Sequence, residues 1–337
     1  MKMVMNLLYG FAASALVLVS TSSSCEKDPV PSPKPGTETE VVVPDAPKQD
    51  GLDGKKILVV GNSMVYYGGC VMNGGQKGSD AGLLYQLIKA GGENATVYDC
   101  TYGGHALHDF TAKGCTSTKL HGDSGTKTSG NCPGLGTELL ISDLASVDYL
   151  FISEAGDNNA DFYADATAVF NRVKKSNPNV KCFYINHIYS VYKNHTKVTS
   201  QLKNLHDKEG VTIVNCGQLA YDIYTGNVKV PGGSMAYSDR YTFCNHTSSD
   251  TYHPNPLMGY IMAQMCYCAL TGRAADFADY SKMVKNSTYG AGGSVSYGDY
   301  YSKYYTVPAD HPFMDVIDNE SEIKGIQKLI PNYIDKF

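Results

Sequence analysis

The chain has 337 residues, a formal charge of −5 from 28 Lys and Arg against 33 Asp and Glu, and 42% hydrophobic residues. That is ample for a core in one large domain or two small ones, and the slight acidity leaves no basic footprint for nucleic acid or an anionic membrane surface. With 26 Tyr, no Trp and 18% charged residues against an average of about 25%, the surface is polar but weakly charged, which suits a secreted protein.

The apolar run from Leu7 to Val19, preceded by Lys2, is too short to span a membrane and has the length of the apolar region of a secretory signal. Ser24-Cys25 follows it. A small residue before a cysteine at this place resembles a lipobox, in which the cysteine is diacylated and begins the mature chain, although Ser22 stands where that pattern has Leu. The expectation is therefore a signal peptide over 1–24 and lipidation at Cys25, with the protein anchored to the outer membrane by that lipid alone. The competing reading is ordinary cleavage with Cys25 left as a free thiol. Residues 25–53 form a linker: Pro29, Pro31, Pro33, Pro35, Pro44 and Pro47 make an extended spacer unsuited to a core.

Strands and helices then alternate. Ile57-Leu58-Val59-Val60 is a continuous apolar run ending at Gly61, the form of a strand buried on both faces. Ala81–Ala90 repeats Leu83, Leu84, Leu87 and Ile88 at helical spacing and stops at Gly91-Gly92, as helices do. Further strands are expected over 95–101, 147–152, 180–185 and 211–214, with helices around 160–175, 196–208 and 256–271. Right-handed crossovers between such strands imply an α/β fold, a three-layer α/β/α sandwich around a mainly parallel five-stranded sheet. The main domain spans 54–271. Residues 272–337, rich in Tyr, Gly and Ser, read as an extension packed on it.

Ten cysteines less Cys25 leave nine, so an oxidising compartment leaves at least one unpaired. Cys182, Cys216, Cys266 and Cys268 lie in apolar strand or helix patterns and read as small core residues. Cys115 and Cys132 bracket a Gly, Ser, Thr and Lys stretch without periodicity, which a disulfide would staple. Cys70, Cys100 and Cys244 stay unassigned.

Ligands bind beyond the carboxyl ends of the strands in such sheets, and the turns there carry unusual residues. Gly61-Asn62-Ser63-Met64 puts a serine at a strand-to-helix turn, where the helix N-terminus favours a developing oxyanion. The bland alternative is a helix cap. Before the last helix of the main domain comes Ser249-Asp250-Thr251-Tyr252-His253-Pro254-Asn255-Pro256. An acid three residues before a histidine, on a turn fixed by two prolines, can hold the imidazole while its other nitrogen faces a nucleophile.

Together these motifs resemble the SGNH (GDSL-like) hydrolase family over residues 54–271. Gly61-Asn62-Ser63 is similar to its first block, with Asn62 in place of Asp, and Asp250-Thr251-Tyr252-His253-Pro254-Asn255 with Gly259-Tyr260 resembles its last. Tyr102-Gly103-Gly104-His105 is similar to the second block and Gly156-Asp157-Asn158-Asn159 to the third, with Asn159 where the family has Asp. The resemblance implies a serine esterase: Ser63 as nucleophile, His253 as base, Asp250 as its orienter. The backbone N–H groups of Ser63 and Gly104 and the Asn158 amide would form the oxyanion hole. It implies small acyl groups, acetyl above all, on extracytoplasmic carbohydrate or another acylated small molecule, with no cofactor.

Two other readings compete. His246, Asp250 and His253, or His105, His108 and Asp109, could ligate zinc, but neither set has a recognised spacing, and no metal is expected. A non-catalytic glycan-binding lipoprotein on the same scaffold would use Tyr297, Tyr300, Tyr301, Tyr304 and Tyr305. The plainer account of those tyrosines is a packed extension.

Overall fold

Five strands build the sheet: β1 (Lys56–Gly61), β2 (Thr96–Thr101), β3 (Tyr149–Ile152), β4 (Lys181–Ile185) and β5 (Thr212–Val214). The computed structural model describes residues 51–71, 82–101, 103–104, 106–110, 144–154, 162–237, 240–290, 295–305 and 312–337, apart from the side chains of 188–195 and 312. Every pairing in the sheet is parallel, in the order β2-β1-β3-β4-β5. The chain leaves β1 for one side of the sheet and returns to its other side at β3, which opens a crevice at the carboxyl ends of these strands.

Successive side chains of a strand point to opposite faces, and both faces here are apolar. Ile57, Val59, Val97, Tyr149, Phe151, Phe183 and Ile185 enter one core, while Leu58, Val60, Tyr98, Leu150, Ile152 and Tyr184 enter the other. Helices α1 (Ser63–Tyr66), α2 (Leu83–Ala90), α5 (Cys216–Tyr224) and α6 (Pro256–Thr271) cover the first face. The second is covered by α3 (Phe162–Ser176) and α4 (Ile188–Glu209), the latter through Val198, Leu202 and Leu205. The three-layer α/β/α sandwich read from the sequence is the fold found.

Two elements differ from expectation. Helix α4 begins at Ile188, soon after β4 ends at Ile185, and so starts eight residues before the helix expected over 196–208. Helix α5 was not anticipated, since Gly217 interrupts its pattern; Asn215 caps it by accepting from Gln218 N at 3.3 Å.

Residues 272–337 supply α7 (Tyr280–Lys285), the antiparallel pair β6 (Thr288–Tyr289) and β7 (Val295–Ser296), α8 (Tyr297–Tyr304), α9 (Pro312–Asp318) and α10 (Glu320–Leu329). Phe313, Val316, Ile317, Ile323, Ile326 and Leu329 join the same core as α6. This explains why α6 is buried on all sides save Ala269 and Thr271: a helix apolar all round needs a partner on each face. The chain end also pairs with β5. Asp335 N donates to Ile213 O at 2.8 Å, and Ile213 N to Asp335 Oδ1 at 2.7 Å, which occupies a strand edge that would otherwise present open backbone groups.

Cys70, Cys100, Cys182, Cys216, Cys244, Cys266 and Cys268 are all buried thiols. Burial pushes Cys268 up to about 12 and Cys182 higher still, the state of unreactive packing residues. Cys25, Cys115 and Cys132 lie outside the described residues.

Candidate active site

Strand β1 delivers Ser63 to the crevice. Asn62, extended at φ −138°, accepts from Met64 N at 3.1 Å and thereby caps α1. The capping role belongs to Asn62 and not to Ser63, and the Ser63 hydroxyl is left to a different partner. His253 Nε2 stands 2.8 Å from Ser63 Oγ across 190 residues of sequence.

Local bonding shapes the loop that carries His253. Thr247 Oγ1 accepts from Asp250 N at 2.8 Å and from Ser249 N at 3.3 Å, closing a turn. Asp250 Oδ1 then accepts from the backbone N–H of Tyr252 at 3.3 Å and of His253 at 3.1 Å. The same oxygen lies 3.0 Å from His253 Nδ1, although the ring N–H is not aimed straight at it. Catalytic hydrogen bonds are often poorly aligned before substrate arrives. Since a carboxylate only accepts, the proton sits on Nδ1, and the Nε2 lone pair faces the serine hydroxyl. Immediately beyond, Asn255 caps α6 by accepting from Met258 N at 3.0 Å, with Pro256 in its first turn.

The serine turn and the histidine helix meet through two glycines. A methyl group on Gly259 would overlap the carbonyl of Gly68, and one on Gly68 would lie 2.5 Å from Asn255 O. Only residues without a Cβ permit this approach, and it sets α1 against α6 so that Ser63 and His253 can touch.

The His253 ring stacks on Tyr67, with centroids 4.2 Å apart at 20°, and lies 4.3 Å from Tyr252 at 34°. Burial and a hydrogen bond to Tyr304 push the Tyr67 phenol well above its usual value, so it stays neutral. For Asp250, burial opposes the charge. The hydrogen bond and charge of His253, with the Asn245 amide, outweigh it and hold the carboxyl below the usual range.

Gly104 follows β2 with φ +73°, in the left-handed region that favours glycine. The register pairs Gly61 with Thr101, so Ser63 and Gly104 lie two and three residues past the carboxyl ends of adjacent strands. Tyr102, His105 and the third-block residues Gly156, Asp157, Asn158 and Asn159 lie outside the described residues. The alternative ligands are placed elsewhere in the fold's chemistry: His246 stacks on Tyr241 at 3.8 Å, and His108 lies 3.5 Å from Asp109 and 3.4 Å from Asp165.

Two buried residues at the strand ends went unread in the sequence. Glu154, after β3, accepts from Leu107 N at 2.5 Å and so ties down the chain that follows Gly104. His187, after β4, has Nε2 2.8 Å from Glu154 O. Its pKa is lowered to about 4, chiefly by burial, with the hydrogen bond to the Glu154 carbonyl opposing the drop and the nearby charge of His253 adding to it. The signal that could have found both is their position, polar residues just past the carboxyl ends of parallel strands.

No family model and no curated protein matches the sequence. Among solved structures, the chain is similar to a lipolytic G-D-S-L family member from Veillonella parvula at 12% identity and TM-score 0.34, covering 64% of this chain and 97% of that one. It is similar to phospholipase A1 from Streptomyces albidoflavus at 10% identity and TM-score 0.35, covering 61% and 94%. A family 3 carbohydrate esterase from Clostridium thermocellum matches at 14% identity and TM-score 0.33, covering 64% and 94%.

Proposed function

We propose that the protein is a serine esterase that removes small acyl groups, acetyl foremost, from carbohydrate outside the cytoplasm. The observation that carries this reading is the chain Ser63 Oγ, His253 Nε2 at 2.8 Å, and Asp250 Oδ1 at 3.0 Å from Nδ1. Ser63 Oγ attacks the ester carbonyl while Nε2 takes its proton. Collapse of the tetrahedral adduct breaks the bond to the alcohol, which leaves with that proton. Water then repeats the sequence, with His253 as base and Ser63 as leaving group. Asp250 stabilises the imidazolium at each stage. The N–H groups of Ser63 and Gly104 and the Asn158 amide are the proposed oxyanion donors, each worth about 2.7–4 kcal/mol in such sites.

The substrate class rests on the family resemblance, the leader and linker of residues 1–53, and the aromatic faces of Tyr67 and Tyr252 beside His253. Lipidation at Cys25 and a Cys115–Cys132 disulfide belong to the same proposal; mass spectrometry of membrane-extracted protein is expected to show a diacylglyceryl adduct on Cys25. For the reaction, wild type should release acetate from para-nitrophenyl acetate and acetylated oligosaccharides, and Ser63→Ala and His253→Ala should nearly abolish it. Activity should fall on acidification, because a protonated imidazole cannot take the Ser63 proton. Wild-type protein that binds oligosaccharide yet cleaves no ester would replace hydrolysis with glycan binding.

A further inference from the structure

The segment that follows α6 reaches back into the loop that carries Asp250 and His253. Tyr300, fully buried on α8, donates its hydroxyl proton to Asn245 Oδ1 at 2.6 Å. Asn245, also fully buried, donates from Nδ2 to Asp250 Oδ2 at 2.8 Å, and from its backbone to His253 O at 2.9 Å. Oδ2 is the carboxylate oxygen that the His253 ring does not approach. Tyr305 fixes the same loop: its hydroxyl lies 2.7 Å from Cys244 O and 2.8 Å from Tyr241 O, and accepts from Asn255 Nδ2 at 2.9 Å. His246 N donates to Tyr304 O at 3.0 Å.

Charge settles which way the Asn245 amide points. A carboxylate can only accept, so Nδ2 must face Asp250, and Oδ1 is then a buried acceptor in need of a donor. Tyr300 is that donor. Its other acceptor in reach, Pro254 O, is farther at 3.3 Å. Without the Tyr300 hydroxyl, the buried Oδ1 loses its partner, and the amide is free to turn an acceptor toward the carboxylate.

We propose that Tyr300 and Asn245 are positioning residues of the active site: a relay Tyr300–Asn245–Asp250 that holds the carboxylate oriented and ionised behind His253. The C-terminal segment is thereby a working part of the catalytic apparatus. The proposal rests on the esterase reading of Ser63, His253 and Asp250.

The test compares Tyr300→Phe, Asn245→Asp and Tyr297→Phe in the full-length protein, measuring kcat, KM and the His253 ring titration by NMR. Tyr297 is on the same helix but lies near Asp315 and Asp318, so its variant controls for loss of a buried hydroxyl from α8. Tyr300→Phe is expected to lower kcat about tenfold, the weight of one buried hydrogen bond, with KM unchanged and the His253 titration displaced. Asn245→Asp sets a second carboxylate against Asp250 and should cost more, about a hundredfold. Tyr297→Phe should leave all three readouts at wild type. A Tyr300→Phe variant with wild-type kcat and an undisplaced titration would overturn the relay, as would an equal loss in Tyr297→Phe. If Tyr300→Phe does not fold, the isosteric Asn245→Asp decides by the same readouts. If wild type cleaves no ester, the esterase reading fails by itself; the His253 titration still decides the relay, a displacement supporting it and none refuting it.

Discussion

Asp250 and Asp99 are two inward-facing carboxylates whose surroundings send them opposite ways. Asp250 receives the backbone N–H groups of Tyr252 and His253 and the Asn245 amide, with the His253 ring at 3.0 Å. Although burial opposes its charge, these partners keep it ionised. Among the described residues, Asp99, on the edge strand β2, receives only Thr101 N at 2.8 Å and Thr101 Oγ1 at 2.6 Å, both on Oδ1, while Oδ2 has no partner there. Burial raises its pKa to about 7, against the two Thr101 bonds that lower it. Burial sets a penalty common to both; the number and kind of donors gathered around each carboxylate decide whether the charge survives.

The comparison breaks most visibly in activity. Asp250→Asn keeps the shape but offers the ring the wrong hydrogen-bond pattern, and kcat should drop about 10⁴-fold. Asp99→Asn, the same change in a carboxylate without a catalytic partner, should leave kcat within about twofold of wild type, since substitutions away from the reacting groups act chiefly on stability. Comparable losses in both would erase the distinction.

The next effect in size concerns the contact that brings the Asp250 loop to the serine turn. Gly259→Ala forces a methyl group into the Gly68 carbonyl, an overpacking that costs about 3 kcal/mol when the obstacle is rigid. Urea unfolding should show that loss together with reduced activity. An alanine variant as stable and as active as wild type would mean the approach is not needed.

The smallest effect is on the pH dependence of stability. Asp99 holds a proton in the folded state that the unfolded chain gives up near 3.8, so its contribution declines as pH rises from about 4 to about 7. His187 runs the other way: unfolded it takes a proton near 6.5, folded only near 4, so its contribution declines as pH falls through that window. The two slopes oppose each other across most of this range. Asp99→Asn removes one of them. It should be more stable than wild type at pH 8 and lose stability more steeply on acidification, as measured by urea unfolding at pH 8 and pH 5. Parallel pH dependences in the two proteins would show that Asp99 is ionised in the fold.

Ser63, Asp250 and His253 were legible because each sits in a short stretch with its own local logic. Gly61 ends a strand, Asp250 folds onto amides two and three residues ahead, and Pro254 and Pro256 direct the chain into α6. The strands were legible for a similar reason, since burial on both faces leaves continuous apolar runs. Asn245 and Tyr300 are 55 residues apart, and no pattern joins them until the fold does. Glu154 and His187 carry no motif beyond their place after a strand. Helix α6 was legible as a helix over 256–271, but its burial on both sides depends on Phe313 to Leu329, which the local sequence cannot announce. In each case the missing information is a partner far away in the chain.

The central claim, that His253 activates Ser63 as a nucleophile, is tested most directly by reaction with a fluorophosphonate followed by peptide mass spectrometry. The account predicts one phosphonyl adduct, on Ser63, in the wild-type protein and none in His253→Ala. An adduct at another residue, or a wild-type protein that takes up no label, would contradict it.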